Sequence, residues 1–125
     1  MMYKIDAVIR EEKLEPVKAA LHEIGVNGVT LYQVMGFGAQ RGYTTVVRGQ
    51  EIDVMILPKL KLEIVVPTEE WKEKTIQKLC EVAYTGEVGD GKIFAYPITD
   101  AVKIRTGETG CAALCAAGET EQPGS

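Results

Sequence analysis

Histidine is nearly absent: the 125 residues hold one, His22, in a helical stretch among charged residues, the setting of a solvated surface side chain. The usual catalytic sets go with it. No Ser/His/Asp or Cys/His arrangement and no HExxH or HxxEH spacing occurs. Cysteine is scarce as well. Cys80, Cys111 and Cys115 make no disulfide framework, and two tail thiols do not complete a four-coordinate zinc site. No apolar run approaches the roughly 20 residues of a membrane span. The N-terminus, Met1-Met2-Tyr3-Lys4-Ile5-Asp6, lacks the apolar core of a signal peptide, so a cytoplasmic protein is expected. Positive charge is not in excess: the net charge of −4 argues against nucleic acids and acidic membranes as partners. What remains, 46% hydrophobic and 26% charged, is ordinary for a soluble domain with one core.

Tyr3 to Arg10 alternates, with Tyr3, Ile5, Ala7 and Ile9 on one face, and reads as a strand. Leu14, Val17, Leu21 and Ile24 recur at helical spacing, with Lys18 and Glu23 toward water. Gly25 and Gly28 stop that helix. Val29 to Met35 and Lys59 to Val66 read as the second and third strands. Pro67-Thr68-Glu69-Glu70 opens a second helix, capped by Thr68 and with acidic residues at its positive end. Trp71, Thr75, Leu79 and Val82 form its stripe, and Cys80 among them is expected to be buried. Ile93 to Ile98 is a fourth strand, and Val102 to Arg105 a short extended piece.

The order β-α-β, β-α-β predicts an α+β domain, a ferredoxin-like βαββαβ sheet with both helices on one face. Ile5, Leu62 and Ile64 lie on strands that read as apolar on both faces, so further subunits are expected to cover the second face. Residues 1–108 make this domain. Residues 109–125 are a small-residue, cysteine-bearing tail whose end is expected to be disordered. If the tail is helical, Cys111 and Cys115 share a face, as a candidate redox pair or as incidental thiols.

Two segments carry chemistry. Thr85-Gly86-Glu87-Val88-Gly89-Asp90-Gly91-Lys92 punctuates the step from helix to strand with three glycines and ends in lysine. Such a turn suits an anion nest, with amides approached closely and a fixed cation beside them; a tight connection is the plainer reading. It lacks the spacing of a P-loop. The second segment is the stretch Phe37 to Pro58, longer than two paired strands need. It carries Arg41, Tyr43 and Arg48 beside Val46, Val47 and Ile52, and reads as an interaction loop or as a hairpin extension.

In chain order stand Gly36-Phe37-Gly38, Gln40 with Gly42, Arg48-Gly49, Leu57-Pro58-Lys59 with Lys61, Glu63-Ile64-Val65-Val66-Pro67, Thr85-Gly86, Gly89-Asp90-Gly91-Lys92-Ile93-Phe94 and Ile104-Arg105-Thr106-Gly107-Glu108. With these motifs, from Tyr3 to about Gly107, the chain resembles the PII signal-transduction family. The resemblance implies a homotrimer with adenine nucleotide in each cleft between subunits. It assigns Gly89, Gly91 and Lys92 to the phosphates, with Asp90 and Val8 in the same site. Thr30 and the Val65 backbone would read adenine, and Glu63 would approach the ribose. Gly36, Phe37 and Gly38 would line the cleft, and Lys103 and Arg105 would reach the phosphates from the neighbouring chain.

The stretch 37–58 would be the family's T-loop, which contacts a regulated transporter or enzyme of carbon or nitrogen assimilation, with Gly38, Gly42 and Gly49 as hinges. Its base would hold a small anionic effector, 2-oxoglutarate or bicarbonate, through Gln40, Arg41, Gly42 and Lys59. Gln40 would be a magnesium ligand when ATP is bound. The departures also matter. Ile52 replaces the tyrosine that many relatives nucleotidylate, and Val47 a second loop tyrosine. Ala39 and Lys103 replace arginines, removing guanidinium forks that grip phosphate, so a tilt toward ADP or AMP is expected. A small ferredoxin-like enzyme with slow ATP hydrolysis at Lys92 and magnesium, and a metal-tolerance trimer of similar fold, are the alternatives.

Overall fold

The computed structural model describes residues 1–39, 45–47, 50–52 and 54–115. Strand β1 runs Met2–Arg10 and passes through a 3-10 turn, Glu11–Lys13, into helix α1, Leu14–Glu23. Gly25, at φ 96°, turns the chain out of α1, a conformation that glycine adopts without strain. Strand β2 is Thr30–Ala39, and short strands β3 (Thr45–Val47) and β4 (Gln50–Ile52) pair with each other. Strand β5, Val54–Val66, returns along β2; helix α2 is Glu69–Ala83 and strand β6 is Lys92–Ile98. Thr68 caps α2 as expected, its hydroxyl accepting from the Trp71 amide at 3.2 Å.

The main sheet has the order β2-β5-β1-β6, all antiparallel. This is the ferredoxin-like arrangement. One face carries Ile5, Ala7, Ile9, Leu60, Leu62, Ile64 and Val66, packed with Val17, Leu21, Leu79 and Ala83 of the helices into one core. Burying that row removes water from one whole face of the sheet and from both helical stripes at once. No described helix is long and apolar enough to cross a membrane.

Several expectations are corrected. Strands β2 and β5 run far longer than their patterns suggested, paired from Thr30↔Glu63 to Ala39↔Val54. The roots of the long loop are therefore ladder, and the hairpin reading holds there. Ile5, Leu62 and Ile64 all face the helices; their pairing register puts Lys4, Asp6, Lys61 and Glu63 on the opposite face. That outer face is charged and aromatic rather than apolar. Cys80 is exposed, because Ile76, Leu79, Val82 and Ala83 already supply the side of α2 that meets the core. Val102 makes only an isolated bridge to Thr109, and Ile104 to Thr106 form a turn. The tail begins with a 3-10 helix, Gly110–Leu114; residues 116–125, where disorder was expected, lie outside the described residues.

Candidate functional site

Helix α2 ends when Tyr84 goes extended, and the glycine-rich turn follows. Gly86, Gly89 and Gly91 take φ of 89°, 102° and 103°, so each of the three needs the freedom of glycine. Gly91 is also sterically fixed: a β-carbon there would fall 1.8 Å from the Val8 carbonyl oxygen. Val8 thus holds its place in the site through its backbone.

Asp90 braces the turn from within. Its Oδ2 accepts from the amides of Thr85 at 2.8 Å and Gly86 at 2.9 Å. Its Oδ1 accepts from the Thr85 hydroxyl and from Arg10 Nε, the latter at 2.9 Å. These donors, the Thr85 hydroxyl foremost, hold the carboxyl well below its usual range. Arg10 Nη2 donates to the Val88 carbonyl at 2.9 Å, and Lys59 Nζ donates to the Gly89 carbonyl. In a trans peptide the carbonyl and the following N–H point opposite ways. The Gly89 and Asp90 amides are therefore aimed away from Arg10 and Lys59, as an anion nest requires. Lys59 is 8% exposed, and burial, followed by the Arg10 charge, pushes its ammonium below the usual lysine value.

The turn walls a depression of about 490 Å³ that also takes in Val8, Gly36, Phe37, Lys59 and Phe94. Here the fold gathers Val8, Gly36, Phe37, Gly89, Asp90, Gly91 and Lys92 with the expected effector residue Lys59. Gly38 lies further along the β2–β5 ladder, opposite Met55. Gln40, Arg41 and Gly42, expected at the effector and magnesium, lie outside the described residues.

The remaining site residues sit elsewhere. Thr30, Glu63, Val65 and Lys103 line a second depression of about 360 Å³, together with Ala101, Ala113 and Leu114. Thr30 and Gly36 are six residues apart on one strand, about 20 Å at strand rise. One chain therefore carries two separate depressions, one at the start of β2 and one around Gly36 and Phe37. Arg105 is exposed in the turn beyond them. Glu63 is held by Lys4 at 2.5 Å, and its carboxyl is lowered by Lys4 first and the Tyr32 hydroxyl second. Lys103 Nζ, expected at phosphates, donates to the Cys115 carbonyl. Cys111 and Cys115 are free thiols; Cys111 Sγ points to the Pro67 carbonyl at 3.8 Å and Cys115 Sγ to the Cys111 carbonyl at 3.6 Å.

Sequence reasoning missed Arg10, Phe94, Ala113 and Leu114. Arg10 carried a usable signal, since it falls on the outer face of β1 opposite Lys59. Its partner Asp90 is 80 residues away, and only the topology joins them.

A family model described as "Nitrogen regulatory protein P-II" matches residues 2–108. The P-II protein of Rhodospirillum rubrum is 49% identical over 109 residues, 87% of this chain and 96% of that protein. P-II 1 of Escherichia coli is 45% identical over 113 residues, 90% of this chain and the whole of that protein. Among solved structures, B. subtilis GlnK superposes with a TM-score of 0.76 at 39% identity, covering 90% of this chain and 98% of that one. Arabidopsis thaliana PII bound to citrate gives 0.72 at 38% identity, covering 90% and 91%. The B. subtilis GlnK–ATP complex gives 0.75 at 36% identity, covering 90% and 97%. On these matches, which span nearly all of the described core, the chain belongs to the P-II family of nitrogen regulatory proteins, regulators and not enzymes.

Proposed function

We propose that this regulator is a homotrimeric cytoplasmic sensor that binds adenine nucleotide between its subunits. The observation that carries the reading is the division of the site. An anion-ready turn beside Gly36 and Phe37 and the Thr30–Glu63–Val65 depression at the start of β2 become one binding cleft only when two copies meet. A polyphosphate fits the first half, with its outward amides and Lys92; a base and ribose fit the second. The ATP complex of the B. subtilis relative supports this choice of ligand. Exposed Tyr32, Phe94 and Tyr96 on the outer sheet face support its burial by further copies.

The nucleotide is ADP or AMP in preference to ATP. Ala39 offers no cation, and Lys103 is already engaged by the Cys115 carbonyl, so few donors remain for a third phosphate. A small anion, bicarbonate or 2-oxoglutarate, is the second effector, bound beside Lys59 with Gln40, Arg41 and Gly42. Gln40 joins magnesium only with ATP. The citrate bound to the Arabidopsis relative supports a carboxylate-type ligand. Occupancy sets the conformation of loop 37–58, which controls a transporter or enzyme of carbon or nitrogen assimilation. Cys111 and Cys115, both free thiols, are a candidate redox pair on the tail, with incidental thiols as the alternative.

Calorimetry with AMP, ADP and ATP, each with and without bicarbonate or 2-oxoglutarate, tests the ligands, and sedimentation tests the trimer. Absence of all nucleotide binding refutes the central claim. ATP bound far more tightly than ADP and AMP refutes the preference, and a stable monomer refutes the shared cleft.

A further inference from the structure

The second depression has a wall that the sequence pattern did not announce. Small residues after Thr109 let the chain coil tightly into the 3-10 helix Gly110–Leu114, and that helix is pinned on several sides. The Gly110 amide donates to the Ala101 carbonyl at 3.0 Å, Val102 bridges Thr109, and the Lys103 ammonium holds the Cys115 carbonyl. The result buries Ala113 and Leu114 to 7% and 6% exposure. Both line the depression that Thr30, Glu63 and Val65 also line. The family match ends at residue 108, so this wall lies beyond it.

We propose that Ala113 and Leu114 are specificity-determining residues that hold the base of the nucleotide, with the Lys103–Cys115 clasp keeping them in place. The inference rests on the nucleotide reading above. A flat heterocycle needs apolar surface against its faces and polar groups at its edge. Ala101, Ala113, Leu114 and the Val65 side chain supply the first; Thr30 and the Val65 backbone supply the second, with Glu63 left to the ribose. A volume of about 360 Å³ falls within the range of small-molecule sites, about 300–1,000 Å³. The glycine-rich turn lies in the other depression, and the test leaves Lys103 unchanged, so substitutions at Ala113 and Leu114 are read at the base.

The test is calorimetry of the full chain with ADP and with CDP, for the wild type, Ala113→Leu and Leu114→Ala. Ala113→Leu adds bulk at a residue that lines the depression, and a thermal melt confirms its fold. Its ADP affinity should fall at least about tenfold, as expected for the loss of one well-packed apolar contact. CDP, with its smaller base, should fall less, so the ADP-over-CDP preference collapses. Leu114→Ala should weaken ADP by removing the wall. A folded Ala113→Leu protein that binds ADP like the wild type overturns the inference. An equal loss for ADP and CDP overturns it too, since a merely structural role moves both together. If the wild type binds no adenine nucleotide, the underlying nucleotide reading fails instead, and this one with it.

Discussion

Arg10 Nε donates to Asp90 Oδ1 at 2.9 Å, joining the end of β1 to a turn 80 residues further along the chain. The carboxylate also accepts the amides of Thr85 and Gly86, so one side chain sets the shape of the turn from both ends. Asp90→Asn keeps the size but replaces one acceptor oxygen with a donor and leaves Arg10 without its ion pair. The variant should lose about 1 kcal/mol in urea denaturation, a figure discounted for partial exposure, and should bind nucleotide more weakly. Its pH profile should change as well. The folded carboxyl titrates below its ordinary 3.8, so its contribution is complete above that pH and drains as pH falls toward the folded value. Wild-type stability should drop in acid below about pH 4, and the variant should lack that component.

Gly91→Ala and Gly86→Ala should separate two kinds of glycine requirement. Both positions have positive φ, but the added carbon at Gly91 meets the Val8 backbone at 1.8 Å, whereas at Gly86 it meets the movable Tyr84 hydroxyl at 3.0 Å. Gly86→Ala should cost roughly 1 kcal/mol, the strain of the left-handed region alone. Gly91→Ala should cost more than about 2 kcal/mol and abolish anion binding. Equal melting temperatures for the two variants would contradict the clash with Val8.

Lys59→Met removes a nearly buried charge together with the donor to the Gly89 carbonyl. Burial and Arg10 place the folded lysine below its ordinary 10.5. Just below that pH the unfolded chain holds more protons, so the stability contributed by this group rises with pH through the window. The wild-type advantage over Lys59→Met should therefore grow as pH is raised toward 10.5. Denaturation at neutral and alkaline pH measures it. Anion binding should weaken at every pH, because the turn loses one of its two anchoring cations.

Thr75 is completely buried on α2, and its hydroxyl has no partner among the described residues. Thr75→Val keeps the shape and removes the unsatisfied oxygen. Stability should rise by about 1 kcal/mol, with nucleotide binding unchanged. A loss of stability would reveal a hydrogen bond to that hydroxyl.

The alternation in β1 and the stripes of α1 and α2 were legible because each is a local record of one buried face. The lengths of β2 and β5 were not. The expected strands stop at Met35 and start at Lys59, yet the ladder runs on through Gly36, Gly38 and Pro58, since an outer hairpin tolerates residues that a central strand would not. The turn was recognisable from its glycines, and all three take positive φ. Its bracing was not recognisable, because Arg10 and Lys59 reach it from other strands. The motifs place the candidate residues in a cleft between subunits, with Lys103 and Arg105 from the neighbouring chain. That they divide between two depressions depends on distance along β2, which motif spacing does not encode. Cys80 was misjudged because helical periodicity gives a stripe but not its width.

The outer sheet face has one more consequence. Lys4 and Lys61 stand there among Asp6 and Glu63, so positive and negative charges cancel within a few ångströms. A surface laid over these four side chains meets little net field. Its attachment should be nearly indifferent to ionic strength, and partners would be sorted by shape and aromatic contact, with electrostatic attraction playing little part.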